Sequence, residues 1–261
     1  MAEVFSLAKW RLFLTVLPFT ALFCLAKFAM HRLGWEPWAF DSLTGALFGA
    51  ASFVIAFVLS GTLGDYNASG DMIVQLVNAV ESIQDANLLV AAAQHGYDAG
   101  PIRRSLARVL ENLLAWLREG QPLEHVDAAL AGLNADFLPL QQAAGQSAVN
   151  RLQGELAKMR ILIRRMQINR STTFLGPAYA LLEIFLVGAV VALLLIGADR
   201  FSENLVISCF LFTSFTYLLL LIRDLDNPFQ YDGRTSVDID LSLVEAILAH
   251  VKAPALQRPA A

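Results

Sequence analysis

Residues 42 to 64 read SLTGALFGAASFVIAFVLSGTLG, an uncharged run that begins after Asp41 and ends before Asp65. About 20 apolar residues, each adding about 1.5 Å of helical rise, cross the hydrocarbon core of a bilayer. This stretch is long enough, and its apolar character is unbroken. It predicts a membrane-spanning helix and sets the fold class.

Three other segments resemble it. Asn204 to Ile222 is uncharged between Glu203 and Arg223. Thr172 to Ala198 carries one acid, Glu183, and Leu12 to Met30 carries Lys27 near its far end, where a long amine can snorkel to the interface. A signal peptide is the competing reading of the first segment, since Lys9 and Arg11 make a basic start. No small-residue cleavage site leads from it into a polar chain. Bulk composition agrees with a membrane protein: 56% of the 261 residues are hydrophobic and 16% are charged, against about 25% charged in soluble domains.

Four spans put both termini on one side. Of the 19 Lys and Arg residues, only Lys27, Arg32 and Arg200 lie in or beside the two short links. The other sixteen lie in the N-terminal tip, the long middle region and the tail. Basic flanks such as Arg160, Arg164, Arg165, Arg170 and Arg223 assign that side to the cytoplasm. Trp35, Trp38 and Phe40 in the first link look like an interfacial aromatic belt. The expected architecture is therefore an all-α membrane protein with four transmembrane helices in two hairpins. Its parts are an N-terminal tip and hairpin (1–64), a cytoplasmic helical domain (65–171), a second hairpin (172–222) and an acidic cytoplasmic tail (223–261).

The middle region has helical periodicity. A helix continues out of the second span through Ile73, Leu76, Val77, Val80 and Ile83. His95-Gly96 and Gly100-Pro101 punctuate, with Pro101 placed for the first turn of the next helix, which ends near Gly120. Gln121-Pro122 opens a third. From Val149 to Asn169, Leu152, Leu156, Met159, Ile163 and Met166 form a heptad seam. Three readings remain for it: a bundle helix, an oligomer axis, or a helix whose basic face docks on anionic lipid.

Signals for chemistry are sparse. His31, His95, His125 and His250 are scattered, and no phosphate-binding loop, dinucleotide fingerprint or nucleophile elbow occurs. No enzyme and no cofactor is expected. The net charge of −4 gives no reason to expect nucleic acid. Cys24 and Cys209 sit in apolar runs and read as small core residues.

Three stretches resemble the bestrophins, pentameric ion channels, and their bacterial relatives. The first is Phe48-Gly49-Ala50-Ala51-Ser52-Phe53-Val54-Ile55-Ala56-Phe57, followed by Asp65-Tyr66-Asn67-Ala68-Ser69. The second is Gly176-Pro177-Ala178-Tyr179 at the start of the third span. The third is Asp224-Leu225-Asp226-Asn227-Pro228-Phe229 with Asp232 and Val237-Asp238-Ile239-Asp240. Family members carry an arginine and two tryptophans where Asp65 and Tyr66 stand.

The resemblance implies a homo-oligomeric channel, a pentamer, in a bacterial inner (plasma) membrane. It would sit in membrane lipid and pass inorganic ions. The second span would line the pore, with Gly49, Phe53 and Phe57 at the neck and Asp65 at the mouth. Pro177, Tyr179, Asn227, Pro228 and Phe229 would be structural. By spacing alone, Gly45, Gly49, Phe53 and Phe57 share a helix face that could equally meet neighbouring helices or lipid. Ser42, Thr44, Ser52, Ser60 and Thr62 are the only polar groups there, so selectivity between chloride and cations is not legible. Asp224, Asp226, Asp232, Asp238 and Asp240 offer oxygens suited to calcium, against a reading as caps and turns. The alternative to a channel is a non-conducting membrane scaffold whose cytoplasmic helices, along the Leu152–Met166 seam, bind a partner.

Overall fold

The structure, a computed structural model, describes residues 7–171, 176–231 and 237–253. In chain order its elements are α1 (Leu7–Arg32), β1 (Trp38–Ala39), α2 (Ser42–Ala93), α3 (Gly100–Glu119), α4 (Glu124–Ala135), α5 (Phe137–Ala144), α6 (Gln146–Ser171), α7 (Gly176–Leu195), β2 (Ile196–Gly197), α8 (Phe201–Leu225) and α9 (Ser242–Lys252). The helical expectation holds, with one addition. Trp38–Ala39 pairs in parallel with Ile196–Gly197, so the two short links between apolar helices join as a two-residue bridge.

The chain divides into two compact units. One comprises Met1–Tyr66, Thr173–Asn227 and Gly233–Val237; the other comprises Asn67–Thr172, Pro228–Asp232 and Asp238–Ala261. In the first, α1 packs on α7 and α8. Its core gathers Phe48, Ala51 and Ile55 of α2, Leu182, Ala189 and Leu193 of α7, Phe23 of α1, and Phe215 and Ile222 of α8. Phe48, Ala51 and Ile55 recur at three and four residues, so one stripe of α2 is committed to this core. Among the described residues, three helices are long and apolar enough to cross a membrane: Trp10–Arg32, Ser42–Ala93 and Phe201–Leu225. Tyr179–Leu195 is a shorter apolar helix. The expected start of that span, residues 172–175, lies outside the described residues.

In the second unit α3 packs on α4 and α9, and α6 packs on α4 and α5. The breaks fall where glycine and proline direct them. Pro101 enters the first turn of α3, and Gly120 ends it in the left-handed region, at φ 70°. The heptad seam resolves as a bundle face: Leu152, Leu156, Met159, Ile163 and Met166 are all buried within the chain. It is therefore not the free interaction surface that a scaffold reading needs.

Candidate functional site

Phe53 and Phe57 stand on α2 with 72% and 71% of their surface exposed, while Ala51 and Ile55 beside them are enclosed. The cause is angular. At about 100° per residue, Gly49, Phe53 and Phe57 fall within about 80° of one another, and the core stripe lies on the other side. A side chain added at Gly49 would meet nothing within 4 Å. The chain thus presents an apolar face, two phenyl rings high, that its own fold does not cover.

Asp65 is also exposed, but it lies about 120° round the helix from Phe53. By the same count Asp71, exposed and about five turns beyond Phe53, returns to the Phe53 side. Counting in steps of 3.6 residues would have found Asp71, whereas the end of the apolar run pointed to Asp65.

A second cluster sits at the linked ends of α1 and α7. The Lys27 side chain is fully buried. Its ammonium donates to the carbonyls of Leu194 (3.2 Å) and Ile196, and lies 2.8 Å from Glu36 Oε1. The expectation that Lys27 snorkels is corrected. The last carbonyls of a helix lack intrahelical partners and form the negative end of its dipole. A buried ammonium there finds both acceptors and a counter-ion.

Glu36 Oε2 lies 2.9 Å from His31 Nδ1, and the His31 ring stacks on Phe201 with centroids 3.9 Å apart. Burial pushes the Glu36 carboxyl up. The His31 and Lys27 hydrogen bonds and charges outweigh it and hold the group below its ordinary value. Asn204 Nδ2 also donates to the Ile196 carbonyl (3.0 Å). Lys27 is therefore spoken for by Glu36, and Glu183 lies exposed on α7.

Pro177 is the second residue of α7. Tyr179 is half-buried, its hydroxyl enclosed beside Asp226, which caps α8. Asn227 Oδ1 is enclosed without a hydrogen-bond partner. The Pro228 carbonyl accepts from Ile239 N–H (3.0 Å), and Phe229 is fully buried. Tyr231 turns the chain with a positive φ of 47° and donates to the Ile239 carbonyl (2.8 Å). Asp240 accepts from the Ser242 N–H and hydroxyl at 2.9 and 2.7 Å. Those bonds hold its carboxyl below the ordinary range. Asp224, Asp226 and Asp238 are engaged by other groups, and Asp232 lies outside the described residues. Among the described residues no three His, Cys, Asp or Glu side chains gather as a metal site.

No family model and no curated protein matches the chain. Solved structures do. A point mutant of a bacterial bestrophin homologue from Klebsiella pneumoniae superposes with a TM-score of 0.70 at 16% identity, covering 94% of this chain and 98% of that one. A second structure of a Klebsiella pneumoniae bestrophin homologue gives 0.69 at 16%, covering 93% and 96%. A structure described only as a membrane protein gives 0.71 at 15%, covering 94% and 97%. The chain has the bestrophin fold. At these identities the likeness carries architecture over nearly the full length, including the order of apolar helices and the α3–α6 bundle between them.

Proposed function

We propose that this bestrophin-fold chain is a homo-oligomeric ion channel, a pentamer, in which α2 of each subunit lines the pore and Phe53 and Phe57 form its neck. In this reading the chain has four spans, counting α7, in a bacterial inner membrane, and the basic flanks such as Arg160, Arg164, Arg165 and Arg223 favour a cytoplasmic side for the α3–α6 bundle and both termini. Gly49 widens the level above the rings; of the acids below, Asp71 follows on the rings' side of α2 and Asp65 stands about 120° round from Phe53.

One observation carries the reading. The two largest apolar side chains on the α2 face point away from the subunit's own core, in a chain with this fold. In a lone subunit these rings would meet lipid, as the equally exposed Phe210 does, whereas a cyclic ring of subunits closes them around an axis. Stacked collars about 6 Å apart exclude water, so conduction depends on how often they widen.

The test is conductance of the purified oligomer in planar bilayers. The Phe53→Ala/Phe57→Ala protein keeps helix propensity, since Ala is the best helix former, and should show higher open probability at unchanged oligomer mass. Unchanged currents in a correctly assembled double mutant would place these rings against lipid or neighbouring helices and end the pore assignment. A conductance-free dimer would instead favour the scaffold, whose proposed seam is already buried within the chain.

A further inference from the structure

The contact between α1 and α8 carries a feature that conduction does not need. The two helices run antiparallel, and their register is marked twice without reference to sulfur. The Thr20 and Thr213 hydroxyls hydrogen-bond at 2.9 Å, and Phe23 stacks on Phe212 with centroids 4.4 Å apart and planes 9° from parallel. One turn from Thr20 on α1 is Cys24; one turn from Thr213, in the opposite chain direction on α8, is Cys209. The same register that joins the threonines therefore brings the two cysteines face to face, with Cα atoms 6.2 Å apart. Disulfides span about 4.4–6.8 Å between Cα atoms. These are the only two cysteines of the 261 residues.

The structure joins Cys24 to Cys209 as a disulfide that fastens the first apolar helix to the last; we propose that this bridge is made within the membrane, by a lipid-soluble quinone. Depth selects the oxidant. Cys24 lies eight residues before the end of α1 at Arg32, and Cys209 eight residues after the start of α8 at Phe201. Both are about 12 Å of helix from those ends, inside a hydrocarbon slab about 30 Å thick. Hydrophilic disulfides do not reach that depth, whereas a lipid-soluble quinone does. Cys24 and Cys209 are each half-buried residues on helices at the margin of the apolar core, within reach of a molecule dissolved in the surrounding hydrocarbon. In the reaction two S–H bonds break and one S–S bond forms. The two electrons and two protons pass to the quinone carbonyl oxygens, which become the hydroxyls of the quinol. One quinone is consumed per bridge.

The inference does not depend on the channel reading and is tested by mass and alkylation. Full-length protein is purified reduced, reconstituted in phosphatidylcholine vesicles with or without a short-chain ubiquinone, then denatured and treated with N-ethylmaleimide. With quinone the chain should become two hydrogens lighter and take no adduct until reductant restores two. Quinol should appear in equal amount. Without quinone, and with oxidised glutathione outside the vesicles, two adducts should form directly. Cys24→Ser should take one adduct under every condition. Two adducts after quinone treatment would overturn the bridge. A cross-linked dimer would overturn the register, and bridging by glutathione alone would overturn the intramembrane oxidant.

Discussion

Replacing Lys27 with Met leaves the Glu36 carboxylate in place with its buried counter-ion gone and the last α7 carbonyls without their ammonium. Removing one partner of a buried ion pair costs about 3–5 kcal/mol, more than the pair itself is worth, because an uncompensated charge remains. The Ile196 carbonyl keeps Asn204 as a donor, so the added cost falls on Leu194, at about 1–3 kcal/mol for an acceptor left unmet. Lys27→Met should therefore be the most damaging single change in the linked ends. Glu36→Gln should cost less, since Lys27 retains two carbonyls. The double mutant should recover part of the loss, with a coupling of about 0.5–3 kcal/mol.

The assay is thermal unfolding of the purified protein in detergent, compared with wild type and both single mutants. Glu36 also fixes a pH sign. Its carboxyl is held low in the folded state, so its contribution is complete above the ordinary glutamate value near 4.5. It is lost as pH falls through the depressed folded value. The stability difference between wild type and Glu36→Gln should persist from pH 5.5 down to about 4.5 and then shrink. Additive single mutants, or a difference that already fades above about pH 5, would refute the coupling of Lys27 to Glu36.

Phe229→Ala empties a fully buried site and should cost about 3–5 kcal/mol, read as a lower unfolding temperature. Leu156→Ala should cost about 2–5 kcal/mol without changing oligomer mass, because the seam is internal; a changed mass would revive the partner-binding reading. A cysteine at Trp35, introduced into a Cys24→Ser/Cys209→Ser chain, should react with an impermeant maleimide on intact cells, and one at Gln121 should not. The reverse pattern would invert the topology.

What could be read from residues alone was whatever depends on near neighbours along the chain. The absence of charge from Ser42 to Gly64, the Gly100-Pro101 and Gly120 boundaries of α3, and the three-and-four spacing of Leu152 to Met166 are all local, and the structure bears out the elements they predict. What could not be read depends on acceptors with no side-chain signature, or on register between distant helices. Lys27 looked like an interfacial amine because its partners are two main-chain carbonyls, one at the end of α7 and one in β2 just after it, and a glutamate hidden among tryptophans and a proline. Cys24 and Cys209 looked inert because no spacing rule relates positions 185 residues apart; only the Thr20–Thr213 and Phe23–Phe212 contacts set their alignment.

The α2 face stands between these cases. Periodicity placed Gly49, Phe53 and Phe57 together, but what decides their meaning is that the opposite face is filled by α1, α7 and α8 while theirs is not. An amphipathic pattern cannot appear in a helix that is apolar all round, so burial supplied what hydropathy could not. The same logic separates Asp71 from Asp65. Each is an exposed acid, and only the angle about the axis distinguishes an acid on the phenylalanine face from one beside it. If the rings of Phe53 and Phe57 close around ions, Asp71→Asn should alter ion preference more than Asp65→Asn. The reversal potential under a salt gradient checks that order. A larger shift from Asp65 would mean that α2 rotates or bends between the rings and the acids.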